Sequence, residues 1–252
     1  MISVTPAERL LISLGIASPN EIDLEAIAWH LGAAVRYRPL DGCEATIVGL
    51  KKRAVISVNS RSLPVRQRFS IGHEIGHWHF HRGQVLLCSS RDVENPGSPL
   101  NPERQADEFA SDLILPLYML RPLLQKERRL TLTLARDLGN VFSASVTATL
   151  IKVVKSNQFP VVVTCYGKIG RRWFARADMV PNWWYPKKAL DQETFAYEVL
   201  VGRAADDQFP RKIGADAWFD FNNCDRFEIQ EQSMSLPNGE VLSLLTIPQT
   251  SS

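Results

Sequence analysis

Arg66-Gln67-Arg68-Phe69-Ser70-Ile71-Gly72-His73-Glu74-Ile75-Gly76-His77 is the stretch on which the reading of this chain turns. The run from about Pro64 to His81 has the pattern of one long helix. In a helix, residues four apart share a face, so His73 and His77 project together. Two imidazoles at that spacing can occupy two corners of one zinc tetrahedron. Glu74 sits beside them, placed to take a proton from a reacting water. Gly72 and Gly76 strip bulk from the helix flank, which is expected to let a strand or loop, such as a substrate edge, pack close.

A catalytic zinc takes a third protein ligand and leaves one position open. The candidate is Glu103, in Asn101-Pro102-Glu103-Arg104-Gln105-Ala106-Asp107-Glu108-Phe109-Ala110. Asn101 suits an N-cap and Pro102 a first helical position. Ala106, Phe109, Ala110, Leu113 and Ile114 follow the helical repeat of a buried stripe. Glu103 lies one turn before Ala106 and so projects inward, where an unpaired carboxylate is costly. Asp107, one turn on, is expected to accept the free ring N–H of a ligating histidine. Simpler origins exist for both motifs. A His-Glu-x-x-His run also arises in helices without metal, and the helix dipole alone favours an acid in a first turn. The other histidines are set aside as ligands. His79 falls on another helix face, His81 lies about 12 Å along the axis from His73 and reads as cleft-lining, and His30 reads as helix surface. Cys88 is the nearest alternative fourth ligand of a closed structural site.

The bulk composition is that of an ordinary globular protein: 252 residues, 45% hydrophobic and 22% charged, with a formal net charge of +2. This excludes a disordered or fibrous chain. The basic residues fall in short separated clusters at 51–53, 128–129, 171–172 and 187–188, which read as solvated surface. Cysteines at 43, 88, 165 and 224 stand alone, without the close spacing of a zinc knuckle or redox motif. A reducing, cytoplasmic location is expected. The N-terminal apolar run is interrupted by Arg9 and reads as an amphipathic helix, not a signal peptide. No run approaches the ~18 apolar residues of a membrane span.

The chain divides into three stretches with an α+β pattern overall. Residues 1–125 alternate helices with short strands. A helix from Asp23 is closed by Gly32, a strand follows at Ala34–Tyr37, and Thr46–Leu50 with Ala54–Val58 form a hairpin around Lys51–Arg53. A loop is expected at Ser89–Leu100, before a helix from Pro102 to Leu115. Residues 126–157 form two helical pieces joined near Ser143–Ser145. From about residue 158 the period changes to that of strands, with hairpins at Val161–Tyr166/Trp173–Ala177 and Phe227–Ser235/Glu240–Ile247.

Three segments in order, IDLEAIAWHLGAAVRY, AVISVNSRSLPVRQRFSIGHEIGHWHFH and ERQADEFASDLILP, resemble the ImmA/IrrE family of bacterial and phage metallopeptidases, over roughly residues 22–116. The third segment is the family's companion to its His-Glu-x-x-His motif, with Asp107 at the small polar position where Asn is also common. The resemblance implies a gluzincin-like core with a small antiparallel sheet, Zn2+ held by His73, His77 and Glu103, and Glu74 as the catalytic base. It further implies a protein substrate, a helix-turn-helix repressor of phage, mobile-element or stress-response genes, whose cleavage releases transcription. Family members also carry a helix-turn-helix-like segment, which Leu134–Ile151 fits in pattern, and some add a GAF-like sensory domain, with which 158–252 is compatible in size and pattern. The second helix of 126–157 offers only Lys152 and Lys155 and no base-reading side chain, so DNA binding is not expected of it.

The reaction expected is peptide hydrolysis. Arg66, Arg68, His81 and Tyr118 are all open as the oxyanion donor, and an extended substrate is expected to add as a strand beside Ala54–Val58. The rival reading is a metal-dependent regulator that binds a repressor or DNA without cutting. An intact Glu74 argues against it, since a structural metal has no use for a neighbouring base.

Overall fold

The computed structural model describes residues 4–82 and 101–248. The expected loop at 89–100 and Cys88 lie outside them. In chain order the elements are α1 (Pro6–Ser13), α2 (Leu24–His30), β1 (Ala33–Arg38), β2 (Ala45–Leu50), β3 (Arg53–Asn59), α3 (Pro64–Phe80), α4 (Pro102–Ile114), α5 (Leu117–Leu124), α6 (Leu132–Phe142), α7 (Val146–Ser156), β4 (Val161–Gly167), β5 (Gly170–Arg176), α8 (Phe195–Leu200), β6 (Arg211–Gly214), β7 (Glu228–Ser235) and β8 (Val241–Thr246). The architecture is α+β with two sheets. The chain forms two compact units, residues 1–122 with 140–145, and residues 123–139 with 146–252. No described helix is long and apolar enough to cross a membrane.

The first unit is organised by α3. Helix starts around it follow local chemistry: Thr5 and Glu8 form a capping box on α1, and Asp23 accepts the Glu25 and Ala26 N–H groups of α2. Its sheet has the order β1-β3-β2, with β1 parallel and β2 antiparallel to β3. The sheet is therefore mixed, which corrects the small antiparallel sheet expected. The tight turn fixes β2 antiparallel to β3 on one edge, and β1, entering from α2, runs alongside the other edge in the same direction as β3. Ile47, Ile56 and Val58 are buried on the face turned to α3, which packs on β2 and β3.

α4 packs against α3, and the reason lies in four small residues. A Cβ on Gly76 would stand 2.9 Å from Ala106 Cα and 3.1 Å from its carbonyl oxygen; one on Gly72 would stand 3.2 Å from Ala110 Cβ. The two glycines thus admit helix α4, and not the substrate strand or loop expected from the sequence. Their missing side chains are filled by Ala106 and Ala110.

The second unit holds a five-stranded antiparallel sheet in the order β5-β4-β8-β7-β6. β4 is buried along its whole length, as a strand covered on both faces must be. α7 packs on β4 and β5, and α8 on β7 and β8. Thr164, Ser243 and Ser233 face one another in register across β4, β8 and β7, and Glu231 follows on the same face. On α7, Lys152 is buried and Lys155 exposed.

Candidate metal centre

His73 and His77 are one turn apart on α3, with His77 buried and His73 partly exposed. Their Nε2 atoms lie 3.0 Å from each other. Glu103, in the first turn of α4 behind its Asn101 cap, completes the group: its carboxylate oxygens lie 3.2 Å from His73 Nε2 and 3.3 Å from His77 Nε2. The close α3–α4 packing is what delivers it.

These separations test the site for a metal. A tetrahedral zinc with bonds of about 2.0–2.1 Å keeps neighbouring donor atoms about 3.3 Å apart. The three donor atoms meet near that spacing, and two imidazole nitrogens with a carboxylate form a donor set suited to zinc. The residues present therefore fit such an ion. Among the described residues, this is the group of three donors close enough together to hold one.

The surroundings sort the two rings. Asp107 Oδ1 lies 2.8 Å from His73 Nδ1. The ring N–H donates there, which leaves the Nε2 lone pair directed into the cluster. Burial pulls the His73 pKa down, but the Asp107 hydrogen bond and the charges of Asp107, Glu74 and Glu103 outweigh it, so the net shift is upward. His77 moves the other way, to about 4, first through burial and then through its neighbours His73 and His81. It is neutral at physiological pH, the form in which an imidazole can take a metal. Glu74 is buried and adjacent in sequence, close enough to contribute to the His73 shift.

The candidate oxyanion contacts part company. The Tyr118 hydroxyl donates to the Ile16 carbonyl at 2.7 Å, and Arg68 to the Ile22 carbonyl at 2.8 Å. Exposed Arg66 stands 3.8 Å from Glu44. The His81 ring, by contrast, is 5.7 Å from that of His77. His79 is exposed and stacks on Phe109.

The expected substrate edge is corrected. β3, which contains Ala54–Val58, is the central strand, paired on both sides, so its main-chain groups are taken. Among the described residues the free edges are those of β1 and β2, and β2 lies against α3, where Gly49 meets the Trp78 ring. Sequence pattern misses this because strand order is set by pairings distant in the chain. Ala106 and Ala110, opposite Gly76 and Gly72, carry no more than a core signal in the sequence, although their i, i+4 spacing repeats that of the glycines.

Residues 28–151 match the peptidase family described as the IrrE N-terminal-like domain. A solved structure from Mycobacterium tuberculosis, described as a transcriptional regulator, shares the fold with a TM-score of 0.62 at 13% identity, over 96% of this chain and 86% of that one. No curated protein matches the chain.

Proposed function

Because the chain belongs, through residues 28–151, to the ImmA/IrrE family of metallopeptidases, we propose that it is a zinc-dependent endopeptidase that cuts a helix-turn-helix repressor and so releases the genes that repressor silences. The convergence of His73, His77 and Glu103, with Glu74 next to the first of them, carries the proposal. The fold it shares with a transcriptional regulator supports a regulatory setting.

His73 Nε2, His77 Nε2 and the Glu103 carboxylate would hold the zinc. When bound, zinc supplies Lewis acidity toward water and a peptide carbonyl. Glu74 accepts the proton of the attacking water and returns it to the leaving amine nitrogen. Asp107 holds the His73 ring in the tautomer and orientation that ligation needs. His81, whose ring neighbours that of His77, is the candidate donor to the developing oxyanion; Arg68 and Tyr118 are committed to carbonyls elsewhere. An extended substrate would pair with the outer edge of β2. Asn59 N–H donates to the Glu44 carbonyl, so by antiparallel alternation Ala45, Ile47 and Gly49 turn their main-chain groups outward.

Elemental analysis of the purified protein beside its Glu103→Ala and Glu74→Gln variants tests the reading. One zinc per chain is expected in the wild type and in Glu74→Gln, and a sharp loss in Glu103→Ala. A repressor encoded beside the gene is then expected to be cleaved by the wild type and left intact by Glu74→Gln. Absence of zinc from the reconstituted wild type sinks the peptidase reading. Cleavage by Glu74→Gln removes the role given to Glu74.

A further inference from the structure

We propose that the outward face of the three-stranded sheet, the face turned away from α3, docks an acidic amphipathic segment of a partner protein. Strand register defines this face. Val48 stands opposite Val55, Val55 opposite Ala34, and Leu50 opposite Arg53. Ile47 and Ile56 point the other way, into the core. β2 therefore ends in a pattern that burial does not explain: Val48 is 72% exposed and Leu50 77%. Trp29, 74% exposed at the end of α2, lines the same shallow groove of about 450 Å³. Singly exposed apolar residues are ordinary, but three large ones gathered around one groove mark an interaction site.

Charge selects the occupant. Arg36 lies on the same face, two residues beyond Ala34, and Lys51, Lys52 and Arg53 close the β2–β3 turn at the other end of the groove. All four are exposed, and none has an ion-pair partner among the described residues. An apolar floor with these exposed cations around it is complementary to a segment whose apolar side chains are flanked by Asp and Glu. A nucleic acid fits less well. The floor is aliphatic, offers no donor or acceptor for base edges, and has one aromatic ring on which a base could stack. A second copy fits less well too, because a two-fold contact sets this patch against itself and brings like charges together.

The test uses the full-length protein and a fluorescein-labelled helical peptide with Leu on one face and Glu on the other, followed by anisotropy. The peptide is expected to bind, and more weakly as salt rises. Leu50→Asp is expected to weaken it about tenfold or more, as loss of a central contact does. A Lys51→Glu/Arg53→Glu variant is expected to weaken it as well, and the Leu–Lys counterpart of the peptide should not bind. These side chains are exposed, so the variants should keep the wild-type circular dichroism and melting; Val48→Ser serves as a second probe of the floor. Glu74→Gln should bind the peptide like the wild type, which separates docking from any hydrolysis. Equal binding by all variants overturns the proposal. So does tighter binding of a single-stranded DNA oligonucleotide that Leu50→Asp abolishes, or a concentration-dependent dimer in sedimentation that the same substitution dissolves.

Discussion

At the scale of single residues, the two histidines of the cluster are held by different means. His77 is fixed by burial, His73 by its hydrogen bond to Asp107. An outer partner of this kind orients the ring and raises its basicity, and its loss costs about 10–100-fold in metal affinity. Asp107→Ala is therefore expected to weaken zinc binding by that order in chelator competition while the fold persists; unchanged affinity would show that the ring is held by packing alone. A second carboxylate poses an opposite problem. Glu231 is buried in the second unit, where the Trp218 indole N–H, the Ala196 N–H and the Ser233 hydroxyl donate to it. Burial, with Asp207 adding its charge, raises its pKa despite those three bonds. The native state thus holds this proton more tightly than the unfolded chain does. Its contribution to stability is full below the unfolded value near 4.5 and is lost as pH rises through the native value. Urea unfolding should show the wild type losing stability relative to Glu231→Gln as pH rises through that window. The reverse trend would mean that the three donors outweigh burial.

At the scale of elements, the site is a product of one helix–helix contact. Glu103 and Asp107 belong to α4, and they reach the histidines because Gly76 lets the Ala106 backbone approach. A methyl group there meets main-chain atoms that cannot swing aside. Gly76→Ala is expected to cost about 1–3 kcal/mol in urea unfolding, the range for overpacking. It should also weaken zinc binding, because α4 is pushed away from α3. Gly72→Ala, whose nearest neighbour is the Ala110 side chain at 3.2 Å, should do less. If Gly72→Ala cost more than Gly76→Ala, the contact would be governed by something other than this backbone approach.

At the scale of the molecule, the cluster lies wholly in the first of two units, on α3 and α4. A metal that binds only the folded state stabilises what it binds, by RT ln(1 + [L]/Kd). If the cluster holds zinc as proposed, a chelator is therefore expected to raise amide exchange across α3 and α4 and leave β4–β8 unchanged. Hydrogen exchange with mass spectrometry reads both at once. An equal rise in the second unit would show that the metal's effect is not confined to the unit that holds it.

The pairing of His73 with His77 is legible in the amino-acid sequence by itself, because helical periodicity is a short-range property; that Glu103 meets them is decided by the contact of α3 with α4. Four residues return a side chain to the same face, and the chemistry of HExxH is written within one turn. The boundaries of α3 and α4 and the β2–β3 and β7–β8 hairpins follow likewise from local caps, prolines and turns. What lies far apart in the chain is decided only by tertiary structure. The start of α5 is satisfied from a distance: Glu8, 109 residues earlier, accepts the Leu117 N–H at 2.7 Å. β3 is the central strand because β1 takes its second edge, and Gly72 and Gly76 receive a helix because Ala106 and Ala110 match them in size. Periodicity tells which side chains share a face; which surface that face meets depends on contacts whose partners no local pattern names.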